Sequence, residues 1–345
     1  MSGADGLLDR DAFREGVFAR DGHKCVICGK PAKDAHHIIE RRLFTDGGYY
    51  LANGASLCEQ HHIEAEETTL TCEDIRTAAG IERVVLPAHL YDDERYDKWG
   101  NVFLPNGHQR IKGELFDDES VQKVLPAHVK TQFTKYVKYP RTWHLPWSPG
   151  RLSKDERTLP SADQFKGRRV VVTVKMDGEN TTMYNDFIHA RSITSKSDVT
   201  RHWVKNLQAA KGWDIPEGWR VCGENLYEKK SIFYSDLTTY FLLFSVWNEK
   251  NDCLSWDETK EWAGLFGFEI VPALYDGEFD EDVIRRLYSQ KHGTNEMEGY
   301  VVRLADSFHY RDFRHSVGKF VREDHNKLGH QRKTLVVPNK LKGVP

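Results

Sequence analysis

The chain has 345 residues, 39% of them hydrophobic and 29% charged, with a formal net charge of -3. This suits a globular protein of two domains and excludes one that is basic throughout. No apolar run reaches the ~20 residues that span a bilayer. The segment Met1-Ser2-Gly3-Ala4-Asp5-Gly6 also lacks the apolar core of a signal peptide, so a cytoplasmic location is expected.

Four spans are expected along the chain: a Cys/His-rich domain over 1–80, a connector with a candidate substrate-binding role over 81–135, a mixed α/β domain over 136–330, and a basic tail over 331–345. In the first span, Cys25-x-x-Cys28 is followed by His36-His37, Asn53 and Cys58-x-x-His61-His62. Cys25, Cys28, Cys58 and His61 form two close pairs, the spacing of a tetrahedral structural Zn2+ site. Such a site stabilises a segment too small for a good apolar core. The scattered Cys72, Cys222 and Cys253 are expected as reduced buried thiols.

Asp46-Gly47-Gly48 and Leu57-Cys58-Glu59-Gln60-His61-His62 complete a run that resembles a ββα-metal HNH module with a zinc knuckle. The resemblance implies that His37 is a general base, that His36 and His62 hold a divalent ion, and that Asn53 orients the His37 imidazole. His61 stands where the family usually has Cys, which leaves open which of His61 and His62 serves which metal. Two roles also stay open for the module, cleavage of nucleic acid and binding alone.

The connector contains Tyr96-Asp97-Lys98-Trp99-Gly100-Asn101 and a strand–turn region at Val102-Phe103-Leu104-Pro105-Asn106-Gly107. Beyond it, buried strands are expected at 170–174, 240–247, 299–304 and 317–321, with helices at 257–266 and 280–290. Strands and helices do not alternate regularly. Packed antiparallel sheets with peripheral helices therefore fit better than a doubly wound sheet. Residues 130–175 carry eleven Lys/Arg against three acidic residues, and 311–342 carry nine against three. The two stretches can form one phosphate-attracting surface or two solvated faces.

Lys175-Met176-Asp177-Gly178-Glu179-Asn180 follows directly on a Val-rich strand. A lysine at a strand end, beside a glycine that permits close backbone approach, can meet a nucleotide phosphate. Downstream stand Arg191, Glu224 in Gly-Glu-Asn-Leu, Phe244, Glu298 in Glu-Gly-Tyr-Val-Val, and Lys319 in Gly-Lys-Phe-Val-Arg. Their order and spacing resemble the covalent nucleotidyltransferase superfamily, and Lys-x-Asp-Gly-Glu-Asn resembles its RNA-ligase-2-like branch. The run from Lys138-Tyr139-Pro140-Arg141 through Pro149-Gly150 is similar to the start of bacterial and phage RNA ligases.

The implied fold is α+β: a nucleotidyltransferase (ATP-grasp-like ligase) domain of antiparallel sheets with flanking helices, after a small ββα-metal HNH zinc domain. The implied reaction seals 3′-hydroxyl and 5′-phosphate ends of RNA through a lysyl-AMP at Lys175, with ATP and Mg2+ (or Mn2+). Lys319 would bind the α-phosphate and lower the Lys175 pKa. Glu298 would position the magnesium, Glu224 the ribose or a second ion, and Arg191 a phosphate or ribose. Phe244 would stack on adenine, with Phe241 as its competitor. Asp177 and Gly178 complete the nucleotide-binding set.

The last motif has Val321 where a second lysine is common, so Arg322 is expected to assist Lys319. Only 23 residues follow Arg322, too few for the OB-fold of DNA ligases and capping enzymes. Nucleic acid is then expected to be gripped by residues 1–135 or another chain. Broken or nicked RNA is the expected partner, with DNA or hybrid nicks open. A metal-dependent HNH endonuclease with a regulatory nucleotide-binding domain, and a DNA ligase, are the alternatives.

Overall fold

The computed structural model describes residues 6–105, 107, 109–149, 156–195, 198–288, 291–292, 295–323 and 336–343. The chain divides into two compact units, residues 1–137 and 138–345. Among the described residues, no helix is long and apolar enough to cross a membrane.

The first unit opens with α1 (Arg10–Arg20), capped by the Asp9 carboxylate on the Ala12 amide. Strands β1 (Asp34–His37) and β2 (Gly54–Leu57) form an antiparallel hairpin, with His37 opposite Gly54. Gly54 is necessary here, because a Cβ would run into Phe13 and Val17, the buried face of α1. Then come α2 (Glu59–Glu66) and α3 (Cys72–Ala78), the latter started by a Thr71/Asp74 capping box. Ile38, Ile39, Leu57, Ala65, Ile75 and Tyr96 share one apolar core. The expected connector carries secondary structure of its own. Strands β3 (Arg95–Tyr96), β4 (Val102–Phe103), β5 (Arg110–Ile111) and β6 (Phe133–Thr134) form a four-stranded sheet. Helices α4 (Glu119–Val124) and α5 (Ala127–Lys130) accompany it, around Trp99, Phe116, Val121, Leu125 and Val129. Asn106 of the expected turn lies outside the described residues, but Gly107 has φ +72°, as a left-handed turn requires.

The second unit starts with β7 (Trp143–His144) and continues through β8 (Arg169–Lys175), β9 (Glu179–Met183), β10 (Ile188–Ala190), α6 (His202–Lys211), β11 (Arg220–Asn225), β12 (Phe241–Trp247) and β13 (Asp252–Cys253). It ends with α7 (Trp256–Phe266), β14 (Glu269–Ile270), β15 (Ala273–Glu278), α8 (Glu281–Arg286), β16 (Lys291–His292), β17 (Asn295–Glu296), β18 (Gly299–Leu304), β19 (Phe308–His309), α9 (Phe313–Ser316) and β20 (Val317–Val321). One sheet runs β10-β9-β11-β12-β13-β19 with β14 beside β12; the other runs β15-β8-β18-β20-β7. Apart from the parallel pairs β12/β14 and β20/β7, the strand pairs in both sheets are antiparallel.

The α+β architecture of antiparallel sheets with flanking helices is thus present. β8, β12, β18 and β20 coincide with the strands expected from their apolar runs, and α7 with the expected helix. α8 is shorter than expected. Asp280 caps its start and it ends at Arg286; residues 289–290 of the expected helix lie outside the described residues. Val170, Val172, Tyr300 and Val302 form a dry core under β8 and β18, which fixes the strand end that carries Lys175.

Candidate active site

β8 ends on Lys175, opposite Gly299 of β18. This register brings Glu298, just before β18, to the lysine: Nζ lies 2.6 Å from Glu298 Oε1. Glu298 is only 3% exposed. Burial alone would lower the Lys175 pKa, but Glu298, Glu224 and Asp177 outweigh it and hold the ammonium above its ordinary range. This reverses the expected lowering by Lys319, for a local reason: three carboxylates are nearer in effect than one cation. Lys319, on β20, pairs instead with Glu156 at 2.9 Å. Burial lowers the Lys319 pKa, Glu156 opposes that, and Lys175 adds to the lowering. The same Glu156 oxygen lies 3.3 Å from His144 Nε2.

Asp177 is tied to the loop between β11 and β12. Its Oδ2 accepts from Ser231 N (2.8 Å), Ser231 Oγ (2.7 Å) and Ile232 N (2.8 Å). Its amide donates to the Tyr234 hydroxyl. Tyr234 N in turn donates to Asn339, and Asn339 Nδ2 to Leu226 O. Part of the expected basic tail therefore braces the loop under Asp177. Two backbone amides and one hydroxyl thus anchor the loop on this carboxylate. Gly178 serves close approach, as expected, but to the neighbouring strand: a Cβ would collide with the Asn225 carbonyl and sit 2.9 Å from Glu224 Cγ. Its amide donates to Glu224 Oε1 at 3.1 Å. Burial, with Glu298 and Asp177 nearby, raises the Glu224 pKa to about 8 against the pull of Lys175.

Part of this set borders a cleft of about 980 Å³, the space at its open mouth included, while Glu298, Asp177 and Gly178 are not in its lining. Lys175, Arg191, Glu224, Phe244 and Lys319 all line it, as do Asn180, Arg303 and residues 139–142. The lining sets an aromatic face, two lysines and a carboxyl group around one opening. Phe244 is half-buried with Tyr139 edge-on at 5.1 Å. Phe241 is 1% exposed and packs on Phe268 in a separate core, so Phe244 and not Phe241 faces the cleft. The 138–150 run contributes Tyr139, Pro140, Arg141 and Thr142, whereas Gly150 lies outside the described residues. No local motif marks Glu156; it reaches Lys319 across 163 positions.

The first unit holds a second cluster. His61 Nδ1 lies 3.4 Å from Cys25 Sγ and 3.3 Å from Cys58 Sγ, and Cys28 Sγ is 3.8 Å from Cys58 Sγ. Zn–S bonds of ~2.3 Å at tetrahedral angles imply sulfurs roughly 3.8 Å apart, so this set fits a zinc ion. Cys72, Cys222 and Cys253 are buried and unbridged, and burial pushes the Cys72 thiol up to about 12.

His62, one position on from His61, turns the other way. Its Nε2 lies 3.4 Å from Glu66 Oε1, and His36 Nδ1 lies 3.5 Å from the same oxygen. Glu66 follows His62 by four residues on α2, the one sequence signal for it. His36 is 2% exposed, and among the described residues neither of its ring nitrogens makes a hydrogen bond. Orphaned buried imidazole nitrogens beside a second histidine and a carboxylate fit a divalent ion.

Asn53 does not reach the His37 ring. It accepts from Ile39 N and donates to Ile39 O and Gly48 O, so it shapes the backbone around His37. The imidazole stacks on Phe13 at 4.4 Å. Burial, then Lys98, lowers its pKa to about 4. It is neutral at pH 7, but a weaker base than the near-7 optimum.

Residues 168–321 match the family model described as RNA ligase. No curated protein matches the chain. Among solved structures, an RNA ligase mutant of Naegleria gruberi with ATP and Mn is 18% identical, over 54% of this chain and 60% of that one, with TM-score 0.35. A second structure of that ligase with ATP and Mn is 14% identical over 92% and 83%, TM-score 0.39. An archaeal ATP-dependent RNA ligase is 15% identical over 54% and 48%, TM-score 0.35. The chain thus spans less than two thirds of the first and third of these.

Proposed function

We propose that this chain, whose residues 168–321 match the RNA ligase family model, is an ATP-dependent RNA ligase that joins 3′-hydroxyl and 5′-phosphate ends. The observation that carries the reading is the convergence of Lys175, Glu224, Phe244 and Lys319 on one cleft. Lys175 Nζ attacks the α-phosphorus of ATP, the bond to the β-phosphate oxygen breaks, and pyrophosphate leaves. The 5′-phosphate of RNA then displaces Lys175 from the adenylate. Finally the 3′-hydroxyl attacks that phosphate and AMP departs.

Lys175 must shed a proton first. Glu298 Oε1, 2.6 Å away, is the nearest acceptor. Lys319 supplies positive charge for the phosphates, Phe244 a face for adenine, and Arg191 a guanidinium at the rim. Glu298 and Asp177 against Lys175 leave surplus negative charge, and a divalent cation held by Glu298 and Glu224 would favour loss of the proton that Glu224 otherwise keeps. Such a cation would supply positive charge against the phosphates.

In the first unit we read Cys25, Cys28, Cys58 and His61 as a structural zinc site. His36, His62 and Glu66 are read as the holders of a second divalent ion in an HNH-like module that engages nucleic acid. The orphaned His36 nitrogens favour that second centre. The ligase reading predicts a covalent label from labelled ATP and sealing of nicked RNA, both lost in Lys175→Ala. Sealing that survives in Lys175→Ala would defeat it.

A further inference from the structure

The buried lysine at position 98 belongs to a stretch that no ligase or HNH motif claims. Its loop is built to aim it. Asp97 is 1% exposed and accepts from the amides of Trp99 and Asn101, the Asn101 side chain and Arg110. The turn so formed sends Lys98 inward. Its Nζ lies 2.8 Å from Glu66 Oε1, 3.5 Å from Glu40 Oε2, and donates to the His37 carbonyl at 3.2 Å. Glu66 Oε1 is also the oxygen nearest His36 and His62. One carboxylate oxygen therefore faces two imidazoles and one fixed ammonium.

Lys98 stands between Glu66 and Glu40, while Arg42, which also meets Glu40, is exposed and shared with Asp118. The buried groups therefore carry one net negative charge before any metal arrives. A divalent ion on His36, His62 and Glu66 leaves one positive charge uncompensated, close to a buried cation in a medium that screens poorly. A phosphodiester brings one negative charge to the same place.

We propose that Lys98 makes metal loading of the His36/His62/Glu66 centre depend on a bound phosphodiester, so that ion and nucleic acid bind cooperatively and the free protein holds the ion weakly. This rests on the reading of that trio as a metal centre. By linkage, whatever the phosphodiester adds to metal affinity, the metal adds to phosphodiester affinity. An HNH-like module joined to a strand-sealing domain is thereby kept idle away from its substrate.

The test is a Mn2+ titration by electron paramagnetic resonance on the full-length, zinc-loaded chain without ATP. Each variant is compared with its His36→Ala counterpart to isolate this centre. A short single-stranded oligothymidylate is the phosphodiester probe. In wild type, the oligonucleotide should tighten Mn2+ about tenfold or more. Lys98→Met should bind Mn2+ about tenfold more tightly without the oligonucleotide and lose the coupling, while Lys98→Arg should retain it. Zinc content and thermal melting check that each variant is folded. Equal Mn2+ affinity in wild type and Lys98→Met would overturn the proposal. So would loss of Mn2+ binding in a folded Lys98→Met, which would make Lys98 a support for Glu66. If no Mn2+ binding depends on His36 in any variant, with or without the oligonucleotide, the metal-centre reading itself fails.

Discussion

Each unit buries a lysine against a carboxylate, and the two pairs are nearly the same length: Lys175 to Glu298 at 2.6 Å and Lys98 to Glu66 at 2.8 Å. Their surroundings differ. Lys175 ends a strand at the wall of an open cleft, and its side chain keeps 25% of its exposure. Lys98 sits on a turn stitched by Asp97, with 6% of its side chain exposed and three acceptors around Nζ. The first lysine is open to a group entering the cleft. The second is held as a fixed charge. An ion pair alone thus does not distinguish a candidate nucleophile from a counter-ion; access does.

The comparison can be broken most severely at the metal that orders the first unit. Cys25→Ser should take zinc from about one per chain to near none and abolish the unit's melting transition. Adenylylation at Lys175 should persist; its loss would mean that the second unit does not work independently. A smaller effect is expected at the other pair. Glu298→Gln removes the charge that raises the Lys175 pKa, so the rising limb of the adenylylation rate should move to lower pH. The maximal rate should fall by about 10²-fold, because an interaction that positions nucleophile and cation is gone. An unmoved limb would show that Glu298 does not control Lys175. The smallest effect concerns the cleft wall. Phe244→Ala should raise the KM for ATP by about tenfold, roughly one lost stacking contact, with little change in stability. A large loss of stability with unchanged KM would make Phe244 part of the core.

Much of this was legible in the sequence where chemistry is local. The Val-rich strand before Lys175, the apolar runs of β12, β18 and β20, and the two x-x-spaced ligand pairs all follow from short-range pattern. The expected ligand pairing also separates by geometry, with His61 turned to the thiols and His62 to His36. What pattern could not carry are partners chosen by tertiary contact. Glu156 meets Lys319, and Lys98 meets Glu66, through folds of the chain that no spacing encodes. Asp177 and Asn53 look like site residues because they are polar and sit in motifs. Their partners given by the structure are largely backbone groups, and through them they hold loops. The sign of the Lys175 shift depends on counting every charge around it, which requires the structure.

The central claim is that Lys175 is the covalent nucleophile. Intact-mass measurement after incubation with ATP and Mn2+ tests it most directly. The account predicts that the wild-type chain gains the mass of one adenylate and that Lys175→Ala gains none. A wild-type chain that takes no nucleotide from ATP, GTP or NAD, or a Lys175→Ala chain that still takes one, would contradict it.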